Sequence, residues 1–438
     1  MNGQQFESIE ASSASSDRDL PLQYAPGRTD LGAQGSEHRW LRKVLDLIDF
    51  PPVCLVLWDG QEVAPSTAPP VARLLVRNRD ALLRLIANPD LQFGELYSAG
   101  RIDVEGSLLE VVEALYRART STVSGGLRRT VLNWVNRPRP NSLVHARQNV
   151  HHHYDIGNDF YRLWLDERML YTCAYFPNQA MTLEQAQVAK MEYICRKLRL
   201  KAGDRVVEAG CGWGALALHM ARHHGVRVKA YNISREQLAY AREQGKRQGL
   251  DQRVEYIEGD FREIVGTYDA FVSVGMLEHV GIAHYESLGE LIDRCLTDNG
   301  RGLIHSIGMN RPAPLNPWIE RRIFPGACPP SPGQMMQVFE PFNFSVLDVE
   351  NLRLHYARTL EHWRNRYTAA EPQVEKMFDP SFVRLWRLYL TGSQAAFSTG
   401  QLQLFQVVFA RNRNNDVPWT RDHLYCQDEV RGRTDGAV

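Results

Sequence analysis

From Leu200 the chain repeats one unit: a short apolar run, a turn and an amphipathic helix. "DRVVEAG" reads as a strand, "ALALHMARHH" as a helix, "VRVKAYNIS" as a strand and "REQLAYAREQGKRQG" as a helix. "RVEYIEGD" and "YDAFVSVG" are further strands, and "GRGLIHSIG" follows the helical "SLGELIDRCL". Strands separated by helices cannot pair as hairpins. The pattern therefore predicts an α/β fold, a doubly wound and mostly parallel sheet covered on both faces. "QLQLFQVVFAR" adds a late strand. Ligands of such sheets sit beyond the carboxyl ends of the strands, so the turns there carry the functional information.

The first such turn is "EAGCGWGA", with Gly210, Gly212 and Gly214 between strand and helix. Glycines there let the backbone bend sharply and let a ligand approach the peptide units. The spacing also satisfies a dinucleotide pattern, which wants an acid about 20 residues further on. The second strand instead ends in "AYNIS", with Asn232 and no carboxylate. The acid precedes the glycines, at Glu208, where it can face the ammonium of an amino-acid moiety. This favours S-adenosylmethionine over a nicotinamide cofactor. Ser234 and Gln237 form a capping box for the next helix or face the ribose. Asp260, in "EGDF", is a turn residue or a partner for an adenine amino group.

The 438 residues suffice for two or three domains. Lys plus Arg and Asp plus Glu each total 51, so bulk charge gives no reason to invoke nucleic acid. The cysteines, at 54, 173, 195, 211, 295, 328 and 426, lack paired spacing, which predicts a reduced, cytosolic protein with no structural zinc. The N-terminus has no signal-peptide pattern, and no apolar run has the length of a membrane span. Residues 1–36 read as a flexible tail, 37–120 as a small α+β domain, 121–150 as a basic linker, 151–411 as the catalytic domain and 412–438 as a loose polar tail. In the small domain, "FPPVCLVLWDGQEV" suggests two strands about Asp59 and Gly60. "ARLLVRNRDALLRLIANPD" and "GSLLEVVEALYRA" carry apolar residues at helical spacing. In the linker, Arg128, Arg129, Arg137, Arg139 and Arg147 surround Leu132, Trp134 and Val135. That is a solvated connector or an element resting on anionic headgroups.

"HYDIGNDFYRLWLDERMLYTCAYF", "VVEAGCGWGALALHMA", "NISREQ", "VSVGMLEHVG", "IHSIG", "WIERRIFPGACPPS", "HYARTLEHW" and "QLFQVVFAR" follow in order across residues 153–411. Together they resemble the cyclopropane-fatty-acid synthases and their mycolic-acid-modifying relatives. The resemblance implies a class I S-adenosylmethionine methyltransferase fold, Rossmann-like, behind a small N-terminal lipid-handling domain. It implies methylene transfer to a cis double bond of a phospholipid acyl chain, with bound bicarbonate as the base. The bicarbonate pocket maps onto Cys173, Glu278, His305, Ile307 and Tyr356, with Cys173 as a small wall and not a nucleophile. Tyr171, Thr172, Glu208, Gly210, Gly212, Gly214, Asn232, Gln237 and Asp260 are the implied cofactor contacts, with no metal. Thr172, Glu208 and Asn232 stand where Ser, Asp and Thr are commoner in the family. "WIERRIFPGACPPS" suits a flap over an acyl channel or an ordinary surface loop. A homodimer on the inner face of the cytoplasmic membrane is also implied. Rival readings are a methyl-branched product, methylation of a small molecule, or a lipid-binding protein without catalysis.

Overall fold

A computed structural model describes residues 52–64, 69–121 and 156–425. The N-terminal tail, the arginine-bearing linker beyond Ser121 and the chain after Tyr425 lie outside the described residues.

The first unit is a four-stranded sheet of β1 (Val53–Val56), β2 (Glu62–Val63), β3 (Ala72–Val76) and β4 (Ile102–Glu105), in the order β2-β1-β3-β4. Helices α1 (Arg79–Ala87) and α2 (Pro89–Ser98) lie between β3 and β4, and α3 (Leu108–Ser121) follows. The helical spacing read into "ARLLV" is overturned, because these residues are β3. Ala72, Leu74 and Val76 are buried while Arg73 and Leu75 are partly exposed, a period of two. Five residues fit both periods, and pairing with β1 and β4 decides between them. The helix begins only at Arg79, where the Asn78 side chain accepts from the Ala81 N–H.

In the second unit a short helical turn, Asn158–Arg162, precedes α4 (Leu183–Leu198), which opens on a capping box between Thr182 and Gln185. The expected alternation then runs through β5 (Arg205–Ala209), α5 (Ala215–His224), β6 (Arg227–Asn232), α6 (Arg235–Arg247), β7 (Val254–Glu258) and β8 (Tyr268–Val274). Next come α7 (Leu277–Val280), α8 (Tyr285–Cys295), β9 (Leu296–Gly308) and α9 (Pro317–Arg322). The chain continues with β10 (Phe344–Asn351), the long pair α10 (Arg353–Met377) and α11 (Pro380–Ser398), and β11 (Gln403–Arg411). The sheet order is β10-β11-β9-β8-β5-β6-β7. Strands β5 to β9 are mutually parallel, and β11 runs antiparallel to both neighbours. Strand order reverses between β5 and β8, which opens a crevice beyond their carboxyl ends.

One apolar cluster joins the two units, running from Val53, Leu74 and Leu96 to Trp318, Trp363 and Trp386. Arg384 of α11 donates to Tyr97 O at 2.7 Å and Ile102 O at 3.0 Å. Arg322, in the "WIERRIFPGACPPS" segment expected as a flap or an ordinary surface loop, makes a bidentate pair with Glu95 of α2 at 2.7 and 2.6 Å. Beside it Trp318 fills the space over Gly94, where an added Cβ would lie 2.3 Å from the indole. Gly94→Ala should therefore destabilise the protein by about 1–3 kcal/mol, the usual cost of overpacking. Urea denaturation checks this, and an unchanged midpoint would show that the seam yields freely.

The polar segment after β11, expected to be loose from Asn412, is docked as far as residue 425. Asp416 pairs with Arg199 at 2.9 Å and Arg301 at 3.1 Å, and Arg196 donates to Leu424 O at 2.9 Å. Basic residues scattered in sequence converge on this strap, which no local pattern reveals. Among the described residues no helix is long and apolar enough to cross a membrane.

Candidate active site

The sheet opens at the reversal point into a cavity of about 220 Å³. Its floor is the turn after β5. Gly210 and Gly212 adopt φ of 84° and 53°, a region that favours glycine, and both line the cavity. The Gly210 and Cys211 N–H groups donate to Tyr231 O at 2.9 and 3.0 Å, tying the turn to β6. Gly214, expected beside them, does not reach the cavity wall. A Cβ there would lie 2.6 Å from Tyr256 Oη and 2.8 Å from Ala241 Cβ, so this glycine serves close packing of α5 on α6 and β7.

Glu208 projects from β5 and is only 2% exposed. Its Oε2 has no hydrogen-bond partner, and burial lifts its carboxyl from 4.5 to about 8. A buried acceptor of this kind suits a ligand cation. Lys190 of α4 lines the same wall and donates to Thr172 Oγ1 at 2.7 Å. Burial pulls its ammonium down to about 8. Sequence reading missed Lys190. The available signal was a lysine in register with Ala186, Ile194 and Leu198 on the buried side of α4. Asn232 braces the turn, donating to Gly212 O at 3.1 Å and to Gln237 Oε1 at 2.8 Å. The Ser234 Oγ accepts from the Gln237 N–H, but the Gln237 side chain turns to Asn232, so the reciprocal capping box does not form. Asp260 caps a short turn through the Arg262 N–H at 3.0 Å and still lines the cavity. Tyr171 completes this side, its hydroxyl 2.6 Å from that of Tyr389.

The other end is built by α7, β9 and α10. The Glu278 carboxylate accepts from Ser306 Oγ at 2.8 Å and from the Ile307 N–H at 3.3 Å. Burial lifts it to about 7. The Ile307 N–H is thus directed at Glu278 rather than offered to a ligand. His305 Nδ1 accepts from the Gln406 amide at 3.0 Å, which leaves the proton on Nε2. That Nε2 is buried without a partner, and burial holds the imidazole neutral, well below its ordinary 6.5. The Cys173 thiol donates to Ala174 O at 3.1 Å, and burial pushes its ionisation far up, which excludes a thiolate nucleophile. Tyr356 packs on Phe397 with ring centroids 4.4 Å apart. All five of these implied pocket residues line the cavity.

S-adenosylmethionine fits this donor set, with Glu208 for its ammonium and the glycine turn and Asp260 for its nucleoside. The ligand-free protein carries a stability cost from its acids. Glu278 and Glu208 have folded values above their unfolded one, so they hold protons that the unfolded chain has released, and stability falls as pH rises through about 7 and about 8. The buried histidines, with lowered values, and Lys190 act the opposite way over part of this range, because unfolded imidazoles still hold protons near pH 6.5 and the buried Lys190 ammonium loses its own by about pH 8. Between about pH 6.5 and about pH 8 the parent chain should therefore lose about 2 kcal/mol relative to Glu208→Gln/Glu278→Gln. Urea denaturation at both pH values checks this. An equal slope in Glu208→Gln/Glu278→Gln would remove these two acids as its source.

Residues 141–407 match the family described as mycolic acid cyclopropane synthetase, and residues 40–126 match a domain of unknown function (DUF7884). The chain is 41% identical over 266 residues to cyclopropane-fatty-acyl-phospholipid synthase of Escherichia coli, covering 60% of this chain and 68% of that protein. It is 32% identical over 387 residues to tuberculostearic acid methyltransferase UfaA1 of Mycobacterium tuberculosis, covering 82% and 88%. A solved structure of mycolic acid cyclopropane synthase CmaA1, complexed with SAH and CTAB, is 29% identical, with a TM-score of 0.57 over 60% of this chain and 97% of that one. With the sheet order, the glycine turn and the buried acid, these likenesses converge: the chain belongs to the mycolic acid cyclopropane synthetase family and is an S-adenosylmethionine-dependent methyltransferase.

Proposed function

We propose that the protein is a cyclopropane-fatty-acyl-phospholipid synthase, transferring a methylene from S-adenosylmethionine to a cis double bond of a membrane phospholipid, with bicarbonate as the base. The observation that carries this reading is the joint placement of Glu278 and His305, both buried, on the wall of the same cavity as Glu208.

Bound there, S-adenosylmethionine supplies an electrophilic sulfonium methyl. Glu208 orients it by its ammonium. Glu278, His305, Cys173 and Tyr356 would hold bicarbonate, which supplies a base when bound, and Ile307 would act through Glu278. A neutral His305 donates from Nε2 to an anion oxygen without itself carrying charge. The Glu278 carboxylate, fixed by Ser306 and Ile307, accepts a hydroxyl proton. Apolar walls at Leu404, Phe324 and Val274 exclude water, which would otherwise capture a cation on the acyl chain.

The test incubates the protein with S-adenosylmethionine, bicarbonate and vesicles of cis-monounsaturated phospholipid, then reads the fatty acid methyl esters by mass spectrometry before and after mild hydrogenation. A product heavier by one CH₂ that resists hydrogenation supports ring closure. A heavier product that takes up hydrogen, or one already saturated and branched, replaces ring closure by a methyl-branched outcome. That second reading is favoured by the similarity to a tuberculostearic acid methyltransferase over 82% of the chain.

A further inference from the structure

We propose that Glu192, Cys195, His219 and His224 form a binding site for one divalent transition-metal ion, with zinc the best match to the donors. None of the four lines the catalytic cavity. Glu192 and Cys195 stand one turn apart on α4, and His219 and His224 lie on the neighbouring α5. Their donor atoms converge. His219 Nε2 and His224 Nε2 lie 3.2 and 3.1 Å from the same oxygen, Glu192 Oε2. The Cys195 Sγ and one nitrogen of each imidazole all fall within 4.8 Å of one another. A tetrahedral ion with bonds of about 2.0–2.3 Å holds its donors about 3.3–3.6 Å apart, so small side-chain shifts complete the shell.

The chemistry of the set selects the ion. One thiolate, two neutral imidazoles and one carboxylate neutralise a divalent charge, which suits a site whose Cys195 and His219 are buried. Thiolate and imidazole together favour zinc over magnesium or calcium. Cys195 is fully buried. A metal-bound sulfur is a thiolate, so binding transfers one proton from Sγ to solvent as the metal–sulfur bond forms, and zinc affinity falls in acid. No paired cysteine spacing announces the site, because two helices contribute two donors each. The site ties the far end of α5 to α4. The near end of α5 carries the glycine turn, and α4 carries Lys190, so the ion braces two walls of the catalytic cavity from outside it.

The full chain, stripped with a chelator, should bind one equivalent of Co²⁺ with a thiolate-to-cobalt charge-transfer band, and zinc should displace the cobalt. Cys195→Ser should abolish the band, and His219→Gln/His224→Gln should weaken zinc binding beyond the roughly 10–100-fold that follows loss of a mere outer partner. Zinc should raise the melting temperature of the parent chain and raise it less in Glu192→Gln, a variant that retains the thiol and serves if Cys195→Ser does not fold. The sequence run His151, His152 and His153 can also take up cobalt but offers no thiolate. A parent chain without the band, a band that survives Cys195→Ser, or undiminished zinc affinity in the double histidine variant overturns the proposal.

Discussion

Glu278→Gln should lower turnover by about 10²–10⁴-fold while leaving S-adenosylmethionine affinity within about twofold. Glutamine preserves the size of the side chain and an acceptor for Ser306 Oγ or the Ile307 N–H. It cannot carry the charge, nor accept a proton as a carboxylate does. Because the parent carboxyl is lifted to about 7 by burial, the neutral amide should also make the protein more stable above that pH. Lost activity and gained stability in one variant separate a chemical role from a folding defect. Release of S-adenosylhomocysteine with lipid vesicles measures the first, calorimetric titration the affinity and thermal melting the second. Unchanged turnover would remove Glu278 from the chemistry.

Glu208→Gln should weaken S-adenosylmethionine binding by about 10–100-fold, the 1.5–3 kcal/mol of a hydrogen bond to a charged group. The pH profile is more telling. The free carboxyl titrates at about 8, and a ligand ammonium needs it ionised. Affinity of the parent chain should therefore rise by about tenfold per pH unit up to about 8, and binding below that pH should release a proton. Calorimetry in two buffers of different ionisation enthalpy counts the proton. The variant should show neither slope nor release. A flat profile in the parent chain would mean that Glu208 does not meet the ammonium.

The alternation from β5 to β9 was readable because short strands rich in Val, Ile and Tyr are bounded by turn residues and separated by helices, whether nearly continuous apolar runs like central β8 or alternating like "VEYIE" of edge strand β7. "ALALHMARHH" coincides with α5 residue for residue. The long pair α10 and α11 was not foreseen as such. Their apolar positions mix with arginines that reach out to the first unit, as Arg384 does, so the pattern makes sense only once the partner is in place. At the site, motif positions such as Glu278 and His305 were visible, but their states were not. Gln406 sets the His305 tautomer from a strand 101 residues away, and burial alone places the two acids near neutrality. Gly214 was read as a ligand contact because spacing cannot distinguish a glycine that admits a cofactor from one that admits a neighbouring helix.

The seam at Gly94 and Trp318 also bears on inheritance. The helix that carries Trp318 leads within a few residues to Phe324 and Pro325, which line the catalytic cavity. A recombination that exchanged the first unit alone would bring a new surface against that tryptophan, and its misfit would be transmitted to the substrate-facing wall. Glycine at one position and tryptophan at the other, with the Glu95 and Arg322 pair, thus behave as a matched key. Chimeras should be cut so that both halves of the key travel together, and drift at one half constrains which changes the other can accept.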